Sequence, residues 1–249
     1  MKVEIIPCLQ DNYSYLMIDE TNNTACVIDP SEAEPIINFI EKKNIHLKYI
    51  LNTHHHFDHI GGNQELKDKY NAKVICSKFD KNRIPGSEIF LQEEDEFKFG
   101  SIIFKIIFVP GHTNGHIIFY SEKEKVAFTG DTLFSLGCGR IFEGTYKQMF
   151  ASLNKIKNFN KKTKIYCGHE YTKKNLNFCL TYDRNNEILK KKSEWVNSNT
   201  ITIPSSIEEE LKTNIFLRCN EQSVKDALNL KNSSDQEIFV KLRDLKDNF

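Results

Sequence analysis

Four short β-type runs in the first 170 residues each lead into a turn that carries histidine or aspartate, in three of them directly beside a glycine and in the first just ahead of a Gly-Gly bend, and this repeated ending constrains the fold more than any other feature of the chain. Tyr49-Ile50-Leu51 runs into Thr53-His54-His55-His56-Phe57-Asp58-His59 and a Gly61-Gly62 bend. The run ending at Val109 leads into Pro110-Gly111-His112, the run from Val126 into Gly130-Asp131-Thr132, and the run from Lys164 into Gly168-His169. Short β-branched and aromatic runs bounded by turn residues read as strands. Glycine lets the backbone turn tightly beyond them, and α/β proteins build their sites outside the carboxyl ends of strands. These endings together predict a layered α/β chain that delivers His and Asp side chains to one place.

Further runs at 3–6, 13–18, 25–28, 72–77 and 117–121 read as strands, with 13–18 and 25–28 joined as a hairpin across 19–23. Apolar residues at helical spacing predict helices over 31–43, 62–70 and 146–156, the first with Ser31 and Glu34 in capping-box spacing. After Glu170 the pattern turns mostly helical. Ser205-Ser206-Ile207-Glu208 offers one capping box, and Ser234-Asp235-Gln236-Glu237 offers another ahead of Ile238, Phe239, Leu242 and Leu245. This predicts two domains, 1–170 with mixed strands and helices and 171–249 as a smaller α-helical domain.

Composition narrows the function. The chain has 34 Lys+Arg against 34 Asp+Glu, whereas nucleic-acid binders draw affinity from a basic excess, so no nucleic-acid partner is expected. No apolar run approaches the ~20 residues that cross a bilayer, and no membrane partner is expected. The first residues read as a strand without the apolar core of a secretory signal. Seven scattered cysteines with no Cys-x-x-Cys pair read as free thiols in a reducing compartment, which places the protein in the cytoplasm.

His54-x-His56-x-Asp58-His59 carries ligands suited to zinc, iron or manganese, and the absence of thiolates argues against a purely structural zinc site. In an extended loop residues two apart point the same way, so His54, His56 and Asp58 converge while His55 and Phe57 point elsewhere. His116 is read as structural. Asp29, at a strand end, is placed to orient a ligand histidine by hydrogen bond.

The sequence resembles the metallo-β-lactamase superfamily and, within it, the glyoxalase II (hydroxyacylglutathione hydrolase) family. The resemblance is carried by Pro7-x-x-x-Asp11-Asn12-Tyr13, the histidine loop, Gly111-His112-Thr113, Gly130-Asp131-Thr132-Leu133-Phe134, Gly137-Cys138-Gly139-Arg140-x-Phe142-Glu143-Gly144-Thr145, Gly168-His169-Glu170-Tyr171-Thr172 and the terminal Arg243-x-x-Lys246-Asp247-x-Phe249. It implies an αββα sandwich followed by the smaller helical domain. It also implies two divalent ions, zinc first with iron or manganese possible: His54, His56 and His112 hold one, Asp58, His59 and His169 the other, and Asp131 bridges. Asp58 and Asp131 are thereby catalytic, supporting a metal-bound hydroxide nucleophile. Arg140, Phe142, Tyr171, Arg243 and Lys246 are implied to bind glutathione, although Phe142 lacks the phenolic hydroxyl some relatives carry there. The implied activity is hydrolysis of S-D-lactoylglutathione to D-lactate and glutathione, the second step of methylglyoxal detoxification, by a monomer. Cys138 is read as packing, not as a nucleophile. The alternatives are an iron-dependent glutathione persulfide oxygenase on the same scaffold and a non-catalytic metal-binding module.

Overall fold

The computed structural model describes residues 2–249. Two six-stranded sheets lie at its centre. The first runs, in both chain and spatial order, through Lys2–Cys8 (β1), Asn12–Asp19 (β2), Thr24–Ile28 (β3), His46–Leu51 (β4), Lys73–Ser77 (β5) and Ser87–Leu91 (β6). Glu96–Phe99 (β7), Ile102–Phe108 (β8), Ile117–Ser121 (β9) and Val126–Gly130 (β10) begin the second sheet. A hairpin of Leu133–Phe134 (β11) and Gly137–Cys138 (β12) follows, and Lys164–Cys167 (β13) and Ser205–Ser206 (β14) complete the second sheet on the far side of β10. The helices are Glu34–Lys43 (α1), Phe57–Ile60 (α2), Asn63–Tyr70 (α3), Tyr146–Lys157 (α4), Thr172–Tyr182 (α5), Glu187–Ser198 (α6), Ile207–Thr213 (α7), Gln222–Ala227 (α8) and Asp235–Asp247 (α9).

The twofold alternation of side chains along each strand assigns the layers. In β2 and β3, Tyr15, Met17, Cys26 and Ile28 share a core with Phe104, Phe119 and Phe128 of the second sheet. Their neighbours Leu16, Ile18, Ala25 and Val27 face Ile36, Ile37 and Ile40 of α1 and Leu66 of α3 instead. On the second sheet Ile118, Ala127 and Ile165 turn outward to Met149, Leu153 and Ile156 of α4. Three apolar interfaces thus separate four layers, helix, sheet, sheet and helix, which is the αββα sandwich.

The outer core of the second sheet continues without a break into the C-terminal segment: Phe178, Phe216, Phe239 and Leu242 pack in the same cluster as Met149 and Leu153. That segment is helical apart from β14, which pairs antiparallel with β13 as an edge strand. All seven cysteines are free and buried. No helix among the described residues is long and apolar enough to cross a membrane.

Local expectations fail where tertiary contacts intervene. Ser31 does not cap α1, which starts at Glu34 with Ala33 at its N-cap and no side-chain cap bond. Pro35 in the first turn has no N–H to be capped and already holds helical φ. Ser206, not Ser205, caps α7, accepting from the Glu209 N–H at 3.3 Å, because the two serines first pair with β13. Ser234 and Glu237 form the expected capping box of α9. β6 and β7 escape a reading based on apolar runs because alternate residues of each face solvent.

Candidate metal centre

β4, β10 and β13 are parallel to a neighbour in their sheets, and the loops that leave their carboxyl ends, with the loop after β8, meet between the sheets. Ile117 N–H donates to the Thr53 carbonyl at 2.9 Å and Tyr13 N–H to the Gly168 carbonyl at 2.8 Å, stitching the two sheets together at this edge. Gly130 makes the approach possible. It holds φ +46°, and a Cβ there would lie 2.3 Å from Thr53 Oγ1 and 2.8 Å from His116 Nε2.

Three groups of ligand atoms result among the described residues, each within 4.8 Å: His54, His56 and His112; Asp58, His59 and His169; and Asp29, His54 and His59, which lies behind the other two. Asp131 stands between the first two, with Oδ1 3.4 Å from His59 Nε2 and Oδ2 3.5 Å from His112 Nε2 and 3.3 Å from His169 Nε2. The extended-loop expectation therefore needs correction at Asp58. His56 is extended, but Phe57–Ile60 closes into one helical turn, which breaks the alternation and carries Asp58 away from His54 and His56 to the second group. His55 turns toward Asp80 and Glu143, and Phe57 is exposed.

The far nitrogens of the ligand candidates are held from behind. Asp29 faces His59 Nδ1 at 3.0 Å, Thr53 Oγ1 faces His54 Nδ1 at 3.0 Å, and Asp11 faces His169 Nδ1 at 2.9 Å. The Arg140 carbonyl accepts from His112 Nδ1 at 2.7 Å, and Asn12 donates to Asp58 Oδ2 at 3.0 Å. Such partners fix the tautomer that leaves the other nitrogen free for a metal. His116 stacks on His54 at 4.7 Å and accepts the Asp131 N–H at 3.1 Å, supporting the site without facing it.

Electrostatics divides the histidines. Burial, reinforced by neighbouring imidazoles, holds His54 well below its ordinary pKa, and burial lowers His56 and His112. His59 and His169 go the other way: burial opposes their charge, but carboxylates led by Asp131 outweigh it and push them up to about 10 and about 11. Burial opposes ionisation of Asp131 as well, yet His169 and His59 hold it well below the carboxylate range. The cluster thus asks for positive charge at its centre. His54 Nε2, His59 Nε2 and Asp131 Oδ1 are buried with no hydrogen-bond partner. An orphaned buried polar atom costs about 1–3 kcal/mol, and three in one place, all good ligands for a divalent cation, fit a metal site.

Beside His169 opens a cavity of about 290 Å³ lined by Arg140, Tyr171, Arg243 and Lys246. Tyr171 stacks on His169 at 4.6 Å, so the cavity reaches the second ligand group. Phe142 is not among its lining residues; it is exposed, with its ring 5.6 Å from His56 and 5.2 Å from His112. Arg243 is only 4% exposed, and its Nη1 donates to the Cys138 carbonyl at 2.8 Å. Lys174, Asn175 and Asp11 line the cavity too and were not assigned from the sequence. Lys174 had a signal, as a cation in the first turn of α5 three residues after its N-cap Tyr171.

The fold and the paired His/Asp groups define a class, and the comparisons agree on it. Residues 10–169 match the family profile of the metallo-beta-lactamase superfamily and residues 170–249 that of the hydroxyacylglutathione hydrolase C-terminus. The chain is 58% identical over 253 residues to a hydroxyacylglutathione hydrolase of Pelagibacter ubique (strain HTCC1062), covering 100% of both chains. It is 42% identical over 259 residues to one of Crocosphaera subtropica, again covering 100% of both. The crystal structure of ETHE1 from Myxococcus xanthus superposes with a TM-score of 0.70 over 98% of this chain and 90% of that one, at 23% identity, a likeness of fold alone. The chain belongs to the metallo-beta-lactamase superfamily and, within it, to the hydroxyacylglutathione hydrolases.

Proposed function

We infer that this chain hydrolyses S-D-lactoylglutathione to D-lactate and glutathione at a two-metal centre. The observation that carries the reading is the junction of the two ligand groups with a cationic cavity, because the reaction needs both. His54, His56 and His112 would hold one ion, Asp58, His59 and His169 the other, with Asp131 between them and zinc as the metal of both. Bound divalent cations supply Lewis acidity, lowering the pKa of a water toward neutrality and polarising a carbonyl oxygen. The residues supply placement. Lys246 offers positive charge to the carboxylates of the glutathionyl arm, as do Arg140 and Arg243, which also pair with Asp247 of the same cavity at 3.4 and 3.0 Å, and Tyr171 forms a flat wall between that arm and His169.

Water gives up one proton to solvent as it adds to the thioester carbonyl, the C–S bond breaks with its electron pair going to sulfur, and the acyl group departs as a carboxylic acid. A thiol with a pKa of about 8.5 leaves as the thiolate without a strong general acid, so no side chain is needed as proton donor and Cys138, buried against Arg243, takes no part. The free, buried cysteines support a cytoplasmic setting. Residues 1–170 act as the metal-binding catalytic part and 171–249 as the part that meets glutathione.

The test is loss of thioester absorbance from S-D-lactoylglutathione with purified, metal-loaded protein, abolished by chelation and restored by zinc. An inert loaded enzyme that instead consumed oxygen with glutathione persulfide would transfer the assignment to the oxygenase. A second measurement addresses the cavity. Lys246 is partly buried, and burial and Arg243 both lower its pKa, so a substrate carboxylate finds an under-compensated cation there. Lys246→Ala is expected to raise KM about tenfold and leave kcat within about twofold, the signature of binding energy common to ground and transition states. A fall in kcat at constant KM would remove Lys246 from the binding role.

A further inference from the structure

We infer that the C-terminal helical segment also positions the metal ligands, by clamping the β11–β12 hairpin that joins Asp131 to Arg140. The inference rests on the reading of the site as a metal centre and gives the segment a task beyond covering the substrate.

The hairpin stands between two groups on which the site depends. Asp131 lies two residues before it. Arg140, whose carbonyl accepts from His112 Nδ1 at 2.7 Å, lies two residues after it. The two ends press on each other: Gly139 N–H donates to the Thr132 carbonyl at 3.2 Å, and a Cβ at Gly139 would fall 1.9 Å from the Asp131 carbonyl oxygen. Any shift of the hairpin therefore moves the bridging carboxylate and the support of a ligand histidine together.

On its own this hairpin has little to hold its shape. Its strands are two residues each, and Leu136 sits at φ +60°, a conformation that a side-chain-bearing residue rarely adopts. Apart from the Thr129 hydroxyl, which donates to the Leu133 carbonyl at 2.8 Å, its polar backbone is taken up from the C-terminal segment. Asn214 Nδ2 donates to the carbonyls of Phe134 at 3.2 Å and Gly137 at 3.0 Å, and the Leu136 N–H donates to Glu210 Oε2 at 2.8 Å. Asn175 Nδ2 donates to the Ser135 carbonyl at 3.0 Å. Glu210 and Asn214 are fully buried, and Lys192 balances the carboxylate from 3.4 Å while reaching Ser135 Oγ at 3.3 Å. A segment that only roofed the substrate would need no more than the apolar contact that Leu133 and Leu136 make with Phe178 and Phe216. Buried, satisfied hydrogen bonds specify one geometry.

Glu210→Gln in the full-length, zinc-loaded chain is the test. The two oxygens of Glu210 face three donors, Lys192 Nζ, Leu136 N–H and Asn214 Nδ2, so a glutamine of the same shape sets its NH2 against a donor. Zinc affinity by chelator competition is expected to weaken by about tenfold or more, with kcat falling while KM stays within about twofold. Wild-type zinc affinity and kcat with a lowered urea midpoint would overturn the clamp, as would a rise in KM alone. If Glu210→Gln does not fold, Asn214→Ser, which draws the donor away from Phe134 and Gly137, carries the same expectations. A wild-type chain that bound no zinc would instead overturn the metal reading, so the two failures are distinguishable.

Discussion

Asp131→Ala is expected to lose metal from both ligand groups and to lower kcat/KM by on the order of 10³-fold or more, about 4 kcal/mol of transition-state stabilisation. The size follows from position. Asp131 is the one carboxylate that faces His59, His112 and His169 together, at 3.4, 3.5 and 3.3 Å. Removing it would take the proposed shared ligand from both groups and one of the two ligand carboxylates, Asp58 being the other, that would offset the ions. Asp131→Asn keeps the volume and one oxygen and so isolates the charge; it is expected to retain more metal than the alanine variant while remaining strongly impaired. Metal per chain by elemental analysis, measured with kcat, decides the matter. Unchanged metal content in Asp131→Ala would end its bridging assignment, whatever the rate.

Much of this arrangement is legible in the linear sequence because its signals are local. A β-branched run followed by glycine and a ligand residue announces a strand with a functional loop. Four such endings foretold the convergence of His54, His112, Asp131 and His169 without any knowledge of strand order. The capping box at Ser234 and Glu237 was equally readable, since both partners lie within four residues. Errors arose where a neighbouring element changed the local geometry. The extended-loop spacing puts Asp58 with His54 and His56, but the turn at Phe57–Ile60 makes it helical and sends it to His59 and His169, the grouping that the family resemblance implies. Ser31 has the spacing of a cap, yet the helix begins three residues later at a proline-bearing turn.

The hairpin clamp was not legible at all. Its partners, Asn175 with Ser135, Glu210 with Leu136 and Asn214 with Phe134, are 40, 74 and 80 residues apart. Nothing in the composition around Asn214 distinguishes it from other polar residues of a helical segment. The same limit hid the second use of Arg243. Read from the sequence it is a cation for substrate. In the fold it lines the cavity while donating to the Cys138 carbonyl at the hairpin's end, so the cavity and the hairpin share one side chain.

Asp29 carries the second large effect, and two substitutions there separate folding from metal binding. Its carboxyl is 2% exposed and accepts the Thr53 N–H at 2.7 Å, the Thr53 hydroxyl at 2.6 Å and His59 Nδ1 at 3.0 Å. The residue also holds φ +49°, which Asp tolerates better than Ala. Asp29→Ala leaves buried donors unpaired and is expected to destabilise the metal-free chain by about 3–5 kcal/mol in urea unfolding. Asp29→Asn keeps an oxygen for the Thr53 N–H and should destabilise less. Its NH2, however, can pair with His59 only if Nδ1 becomes the acceptor. The proton must then sit on Nε2, the nitrogen that faces Asp58 and Asp131 at 3.7 and 3.4 Å. A protonated nitrogen cannot ligate, so metal affinity in Asp29→Asn is expected to fall by about 10–100-fold although most of the stability survives. An asparagine variant that bound zinc like wild type would show that the carboxylate does not set the His59 tautomer.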